Sequence, residues 1–376
     1  MARWLFGFLS LLGGLLPLAA HAFETTAKAA ILIDDRTGVV LLEKNADQRI
    51  PPASMSKLMT AYMIFDRLAH GGLKLEDEVP VSAKAWKMGG SQMFLEVGDR
   101  VKVEDLIRGI IVQSGNDACV AMAEALAGTE EAFARQMTEK AAEIGLTGSS
   151  FANATGLDAP GHLMTVRDLA TLTRRIIADF PDRFRYYAER DFTYNGIRQP
   201  NRNPLLQAGV EGVDGMKTGF TEQSGYGLVA TAKRGDRRLV MVLAGMGSEQ
   251  ERRQEGERVL EHGFRDFKEY RLYEAGQTVV EADVWQGAAP KVPLVPTDTV
   301  ALTLAREARD RLTVKLRYGN PVAAPVAAGQ ALGFVDIAAP GQPVRSVPLV
   351  AGADVPRAGV VGRITGAMGY LVRGAS

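Results

Sequence analysis

The chain has 376 residues, of which 46% are hydrophobic and 23% are charged, and its formal net charge at pH 7 is zero. This composition is typical of a globular protein with room for two domains, and the balanced charge argues against a nucleic-acid partner. The single cysteine, Cys119, cannot form a disulfide within the chain, and the four histidines lack the spacing of a metal site. We therefore expect neither a metal nor an organic cofactor.

Residues 1–22 have the pattern of a secretory signal peptide. Arg3 is followed by an apolar run from Trp4 to Leu18. The tripeptide Ala20-His21-Ala22 comes next, and its first and last residues are small, as at a cleavage site. Such a signal peptide would direct export of the protein and be cleaved after Ala22. An uncleaved membrane anchor is the alternative, although the apolar run is short for a membrane span.

A first domain is predicted over residues 23–272. Two apolar runs around the turn at Gly38 predict a β-hairpin over 29–43. A helix is predicted from about Ser54 to Ala69, after two prolines that end any earlier element. Further helices are predicted from 103, over 117–128, after the N-cap candidate Thr165 and over 249–268, and strands over 225–232 and 238–245.

From about residue 273 the pattern changes to short alternating runs between glycines and prolines, which predicts a small all-β domain over 273–352. The remaining residues, 353–376, contain arginines and form an amphipathic pattern with one apolar arc, Val361, Ile364, Met368, Leu371 and Val372. We interpret this tail as an interfacial helix that associates with a membrane. A frayed end is the alternative, because glycine disfavours helix formation.

Ser54 and Lys57 form an S-x-x-K motif at the start of the first predicted helix. Residues three apart are neighbours on a helix, so the Lys57 amine is expected within reach of the Ser54 hydroxyl. A lysine acts as a base only when it is uncharged, which requires burial or a second cation nearby. The motif thus predicts a serine nucleophile, a lysine base and another lysine or arginine close to them.

Two further motifs follow in order, Ser114-Gly115-Asn116 and Lys217-Thr218-Gly219. Together with S-x-x-K they match the set found in class A β-lactamases and penicillin-binding proteins, with Gly115 in place of the middle aspartate. The chain resembles the low-molecular-mass penicillin-binding D-alanyl-D-alanine carboxypeptidases. The resemblance extends over the whole mature chain, and other segments that carry it are 35–38, 90–95, 153–157 and 195–203.

The resemblance implies an α+β fold of the β-lactamase/transpeptidase-like type, an antiparallel sheet flanked by helices, followed by a β-sandwich-like domain. It implies that Ser54 is the nucleophile, Lys57 its general base and Ser114 a proton relay to the leaving amine. Substrate contacts are expected from Asn116 on the peptide backbone, from Thr218 and Arg202 on the terminal carboxylate, and from Lys217. The backbone N–H groups of Ser54 and Phe220 would form the oxyanion hole, and the strand after Gly219 would pair with the peptide.

The implied reaction is acylation of Ser54 by a peptidoglycan stem ending in D-Ala-D-Ala, release of D-Ala and hydrolysis of the acyl-enzyme. β-Lactam antibiotics would acylate the same serine. The implied location is the periplasm, with the tail on the outer face of the cytoplasmic membrane.

Three other activities compete with this interpretation. A serine β-lactamase is disfavoured because residues 151–158 lack the Glu-x-x-Leu-Asn pattern of class A enzymes. A D,D-endopeptidase differs only in pocket shape, and a non-catalytic wall-binding protein would not need all three motifs intact. A Ser-His-Asp triad using His162 and Asp168 is disfavoured because no nucleophile elbow is present.

Overall fold

The computed structural model describes residues 23–359. The predicted signal peptide (1–22) and residues 360–376 of the predicted tail lie outside this range, so both assignments stay predictions. The helices are α1 Lys57–Ala69, α2 Ala83–Trp86, α3 Val103–Ile111, α4 Asn116–Ala127, α5 Glu130–Glu143, α6 Val166–Asp179, α7 Pro181–Phe184, α8 Pro204–Gln207 and α9 Glu249–Asp266. Short 3-10 helices occur at Ala53–Ser56, Arg185–Ala188 and Arg306–Arg311.

The strands fall into one large sheet, two small two-stranded sheets and a C-terminal group. The first ten are β1 Ala29–Asp34, β2 Val40–Lys44, β3 Glu78–Pro80, β4 Arg100–Lys102, β5 Asp191–Tyr194, β6 Ile197–Pro200, β7 Val213–Thr221, β8 Gly225–Arg234, β9 Arg237–Met246 and β10 Phe267–Tyr273. The others are β11 Val280–Trp285, β12 Lys291–Val295, β13 Val300–Ala305, β14 Thr313–Tyr318, β15 Val322–Ala323, β16 Ala331–Ala338 and β17 Arg345–Ala351.

The central sheet is antiparallel, in the order β2-β1-β9-β8-β7, and helices cover both of its faces. Ile31 and Val242 belong to the core shared with α1, α3, α4 and α6, whereas Leu32 on the opposite face packs with Val259 and Leu260 of α9. Because both faces are covered, successive residues of β1 must be apolar, which explains its uninterrupted hydrophobic run. The predicted α+β fold is confirmed.

The edge strand β7 lies against the 3-10 turn that precedes α1, and this junction positions the candidate site. A Cβ on Gly219 would lie 2.9 Å from the carbonyl oxygen of Pro52 and 3.1 Å from the Cβ of Ala53. Only a glycine therefore lets the strand and the turn approach so closely. The sequence analysis expected a strand after Gly219, but β7 already begins at Val213, so that the motif Lys217-Thr218-Gly219 lies inside the strand.

The longest helix missing from the sequence prediction is α5, and the four-residue helices α2, α7 and α8 were missing as well. The helix α5 begins after Thr129, whose hydroxyl accepts a hydrogen bond from the Ala132 N–H (3.1 Å), and Glu130 and Glu131 occupy its first turn. This cap and these acidic residues are the signals that could have located it. By contrast, the predicted cap at Thr165 is confirmed, since its hydroxyl accepts from the Asp168 N–H.

The C-terminal residues form the predicted all-β, sandwich-like domain. A six-stranded sheet, in the order β14-β16-β17-β12-β11-β15, shares a core with the pair β10-β13 through Leu294, Leu302 and Val335. The strand β10 pairs with β13 from Phe267 onward, where the sequence predicted the last residues of a helix. Across residues 23–359, no helix is both long and apolar enough to cross a bilayer.

Candidate active site

Ser54 lies on a tight turn at the entrance to α1. The structure places it in the 3-10 helix Ala53–Ser56 rather than in the first turn of the α-helix, and Ala53 adopts a positive φ of 48°. Lys57 follows as the first residue of α1 and is 1% exposed. The predicted proximity is present, since the Lys57 Nζ lies 2.9 Å from the Ser54 Oγ.

The Lys57 amine has two other partners, and both of them are pure acceptors. Its Nζ lies 2.7 Å from the Oδ1 of Asn116 and 2.5 Å from the backbone oxygen of Thr155. A neutral amine has two hydrogens and one lone pair, so donation to these two oxygens directs the lone pair toward Ser54. In that state the amine can accept the Ser54 proton.

Burial lowers the pKa of the Lys57 amine below its ordinary value, and the negative charge of Asp117 partly opposes the shift. Burial also lowers the pKa of Lys217, well below its ordinary value, and the charge on Lys57 lowers it further. The second amine expected beside Lys57 is thus present in Lys217. Burial, however, and not the charge of Lys217, is the main cause of the lowered Lys57 pKa.

Ser114 is held by the same group of residues. Its backbone has a positive φ of 62° at the turn before α4, and its Oγ accepts a hydrogen bond from the Lys217 Nζ (2.9 Å). Lys217 also donates to the backbone oxygen of Thr218 (3.1 Å). The two hydroxyls of Ser54 and Ser114 are thus each paired with a buried lysine amine.

Asn116 makes two contacts inside the protein. In the assigned orientation of its amide, Oδ1 accepts from Lys57 and Nδ2 donates to the backbone oxygen of Gly89 (2.7 Å). Since an amide nitrogen carries two hydrogens, one N–H is left for a substrate, the role predicted for this residue. A Cβ on Gly90 would lie 3.0 Å from Nδ2, so a glycine is needed beside it.

Asp117, which was not among the predicted site residues, holds the backbone of residues 93–95 next to Asn116. Its buried carboxylate accepts hydrogen bonds from the backbone N–H groups of Met93 (3.0 Å) and Leu95 (3.2 Å). Between them Phe94 has a positive φ of 67° and a half-exposed side chain. Its position directly after Asn116, at the start of α4, is the signal that could have identified it.

The residues expected to hold the substrate carboxylate surround the outer end of β7. Thr218 is buried, whereas Phe220 is 50% exposed and its ring packs, tilted by 32°, against that of Tyr226 at a centroid distance of 4.3 Å. Arg202 donates from Nη2 to the Oε1 of Gln199 (3.1 Å) and is close enough that its charge lowers the pKa of Lys217. These contacts, together with the close approach of Gly219 to Pro52 and Ala53, bring the predicted site residues together where β7 meets the turn before α1.

Replacing Gly156 by alanine is expected to slow acylation of Ser54 about 100-fold. The rate of covalent labelling with a fluorescent penicillin would measure this effect. Gly156 has a φ of +83°, and an added Cβ would lie 2.0 Å from the carbonyl oxygen of Ala53 and 3.2 Å from the Ser54 nitrogen. The turn that carries the nucleophile must then move, and a displacement of about 1 Å can cost 10²-fold in rate.

Gly161 provides the matched control for this variant. It has a similar φ of +81°, but an added Cβ would have no atom within 4 Å. Gly161→Ala should therefore lose about 1 kcal/mol of stability through backbone strain and keep its labelling rate. Equal labelling rates for the two variants would contradict the argument.

The comparisons with known proteins agree with this geometry. A family model described as "D-alanyl-D-alanine carboxypeptidase" matches residues 17–248. The chain belongs to this carboxypeptidase family. A second model, "Penicillin-binding protein 5, C-terminal domain", matches residues 267–357. The family resemblance inferred from the three motifs is thereby confirmed.

Individual members of the carboxypeptidase family match over most of the chain. The D-alanyl-D-alanine carboxypeptidase DacC of Escherichia coli K12 is 40% identical over 92% of this chain and 88% of its own length. Penicillin-binding protein 5 of Haemophilus influenzae has a structure with a TM-score of 0.81 and 36% identity, covering 89% of this chain and 99% of that one. Penicillin-binding protein D2 of Listeria monocytogenes, in an ampicillin-bound form, has a TM-score of 0.59 and 28% identity, covering 65% and 99%.

Proposed function

We propose that this protein is a serine-type D-alanyl-D-alanine carboxypeptidase that removes the terminal D-Ala from peptidoglycan stem peptides. The observation that carries the proposal is the arrangement around the Lys57 amine. Two buried carbonyl oxygens, from Asn116 and Thr155, accept hydrogen bonds from this amine. Its lone pair is then directed at the Ser54 hydroxyl, 2.9 Å away. Family membership supplies the substrate class.

In the acylation step, Lys57 takes the proton of Ser54 as the Ser54 oxygen attacks the carbonyl carbon of the penultimate D-Ala. The backbone N–H groups of Ser54 and Phe220 stabilise the negative charge that forms on the carbonyl oxygen. The bond to the terminal D-Ala nitrogen then breaks. The proton that Lys57 took from Ser54 passes through the Ser114 hydroxyl to this nitrogen, so that D-Ala leaves as an amine and Lys57 is neutral again.

Substrate positioning is proposed for the residues along β7. Thr218 and Arg202 bind the terminal carboxylate, with the planar guanidinium suited to a carboxylate group. Lys217 adds positive field, and Asn116 donates its free N–H to the peptide backbone. Water subsequently hydrolyses the acyl-enzyme with Lys57 again as base. β-Lactams acylate Ser54 because their ring amide occupies the position of the scissile bond.

The first experiment incubates the purified protein with a fluorescent penicillin and, separately, with a peptide ending in D-Ala-D-Ala. Mass spectrometry locates the adduct, and free D-Ala is assayed. We expect an adduct on Ser54 together with D-Ala release. Labelling without release would favour an endopeptidase or a non-catalytic receptor, rapid penicillin hydrolysis would favour a β-lactamase, and the lack of any adduct would refute a serine acyl-transfer enzyme.

We also propose that the protein is exported and is held on the outer face of the cytoplasmic membrane by residues 353–376. The apolar run before Ala22 and the amphipathic, arginine-containing pattern of the tail support this proposal. A variant that lacks residues 356–376 is expected to move from the membrane fraction to the soluble fraction in cell fractionation. Retention of this variant in the membrane fraction would contradict the role of the tail.

A further inference from the structure

His162 is a buried histidine next to the nucleophile turn, and the proposed reaction gives it no role. It is 2% exposed, and its Nε2 lies 2.8 Å from the Oγ of Ser56, which is fully buried between Ser54 and Lys57 in the sequence. His162 does not pair with Asp168, in agreement with the disfavoured Ser-His-Asp triad, because Asp168 accepts from the Gly148 N–H (2.9 Å) and the Ser149 hydroxyl (2.7 Å).

The hydrogen bonds of His162 determine which of its nitrogens carries the proton. Nδ1 accepts from the backbone N–H of Ala152 (3.1 Å), so the proton is on Nε2 and is donated to Ser56. Burial, together with the charge on Lys57, lowers the pKa of His162 to about 4, which keeps the ring neutral. A neutral donor here adds no positive charge to a site that already holds two lysines.

His162 belongs to a loop that contacts α1 at several points. We call residues 150–163 the flanking loop; it is closed at its base by backbone hydrogen bonds between Ser150 and Leu163. Within it, the backbone oxygen of Ala154 accepts from the Thr60 hydroxyl (2.7 Å), and that of Thr155 accepts from Lys57 (2.5 Å). The loop thus supplies one of the two oxygens that orient the Lys57 amine.

We propose that His162 is a positioning residue for acyl transfer, which holds the flanking loop against the nucleophile turn through Ser56. The ring bridges the loop to the turn by accepting from Ala152 and donating to Ser56. With this bridge in place, the Thr155 oxygen continues to accept a hydrogen bond from the Lys57 amine. The lone pair of the amine therefore stays directed at Ser54. Loss of the bridge removes one attachment of the loop to the nucleophile turn and leaves a buried hydroxyl and a buried N–H without partners. This inference rests on the function proposed above.

The test compares His162→Leu with His162→Gln, using a fluorescent penicillin in a stopped-flow assay. The assay separates the dissociation constant of the initial complex from the acylation rate constant. Leucine cannot make either hydrogen bond, whereas glutamine can accept through its oxygen and donate through its nitrogen. We expect the leucine variant to acylate about 10- to 100-fold more slowly with a similar dissociation constant, and the glutamine variant to recover most of the rate.

Ser56→Ala removes the other partner with a smaller change in volume, so it tests the same bridge if His162→Leu does not fold. The control is His70→Leu, since the His70 side chain is 77% exposed and pairs with Asp66 on the surface. Acylation at the wild-type rate in folded His162→Leu or Ser56→Ala, or a glutamine variant as slow as the leucine variant, would overturn the proposal. A wild-type protein that forms no Ser54 adduct would instead refute the proposed function.

Discussion

A Ser54→Ala variant is expected to form no covalent adduct with penicillin and to release no D-Ala from a D-Ala-D-Ala peptide. The hydroxyl oxygen is the atom that becomes acylated, so its removal eliminates the acyl-enzyme rather than slowing its formation. Intact-mass spectrometry after incubation with a penicillin would measure the first effect, and an assay for free D-Ala the second. In subtilisin, loss of the serine nucleophile costs about 10⁶-fold in kcat.

The fold of this variant should be unaffected. The Lys57 amine keeps its contacts with Asn116 and Thr155, and the net contribution of one hydrogen bond to stability is only about 1 kcal/mol. Ser346→Ala, at an exposed position in the C-terminal domain, is a suitable control that should label at the wild-type rate. An adduct that persists in Ser54→Ala would place the nucleophile elsewhere.

A Lys57→Arg variant is expected to acylate about 10²- to 10⁴-fold more slowly, the usual contribution of a general base. Burial lowers the pKa of Lys57, so that its amine can lose a proton and accept that of Ser54. A guanidinium stays protonated at the pH of the assay and has no available lone pair, although it can donate to the same oxygens. The rate of penicillin labelling would measure the effect.

The pH dependence of labelling provides a second measurement. In the wild-type protein, the rate should fall as the pH decreases through the lowered pKa of Lys57, because protonation removes the base. In the Lys57→Arg variant, the slow labelling rate should not show this decrease at low pH. Lys140→Arg is the control, because Lys140 lies on the surface of α5 and pairs with Glu143. This variant should keep the wild-type labelling rate and pH profile. A Lys57→Arg variant with the wild-type rate and pH profile would exclude Lys57 as the base.

Local parts of the structure could be predicted from the sequence with good accuracy. The β1–β2 hairpin follows from two apolar runs around a glycine turn, and the cap at Thr165 follows from the hydroxyl at the start of an apolar run. The contact between Ser54 and Lys57 was also predictable, since a spacing of three residues places side chains on the same side of one helical turn. Family resemblance then added the residues of the other two motifs.

Several features of the site lie beyond what a sequence pattern specifies. The Thr155 carbonyl oxygen that orients the Lys57 amine is a backbone atom, so no residue type marks it. The bridge between His162 and Ser56 joins residues 106 positions apart. The start of β7 was missed because a strand whose register includes Gly215 and Gly219 has a weak local signal.

The sequence by itself determined the chemical groups of this protein: a serine and a lysine one turn apart, two further motifs and an apolar pattern that forms a two-domain fold. Only the tertiary structure decided the state of those groups. Lys57 and Lys217 have lowered pKa values because packing of β7 against the turn before α1, and of α4 against α1, excludes water from both amines. Water exclusion depends on every neighbouring element at once, and for this reason no local pattern encodes it.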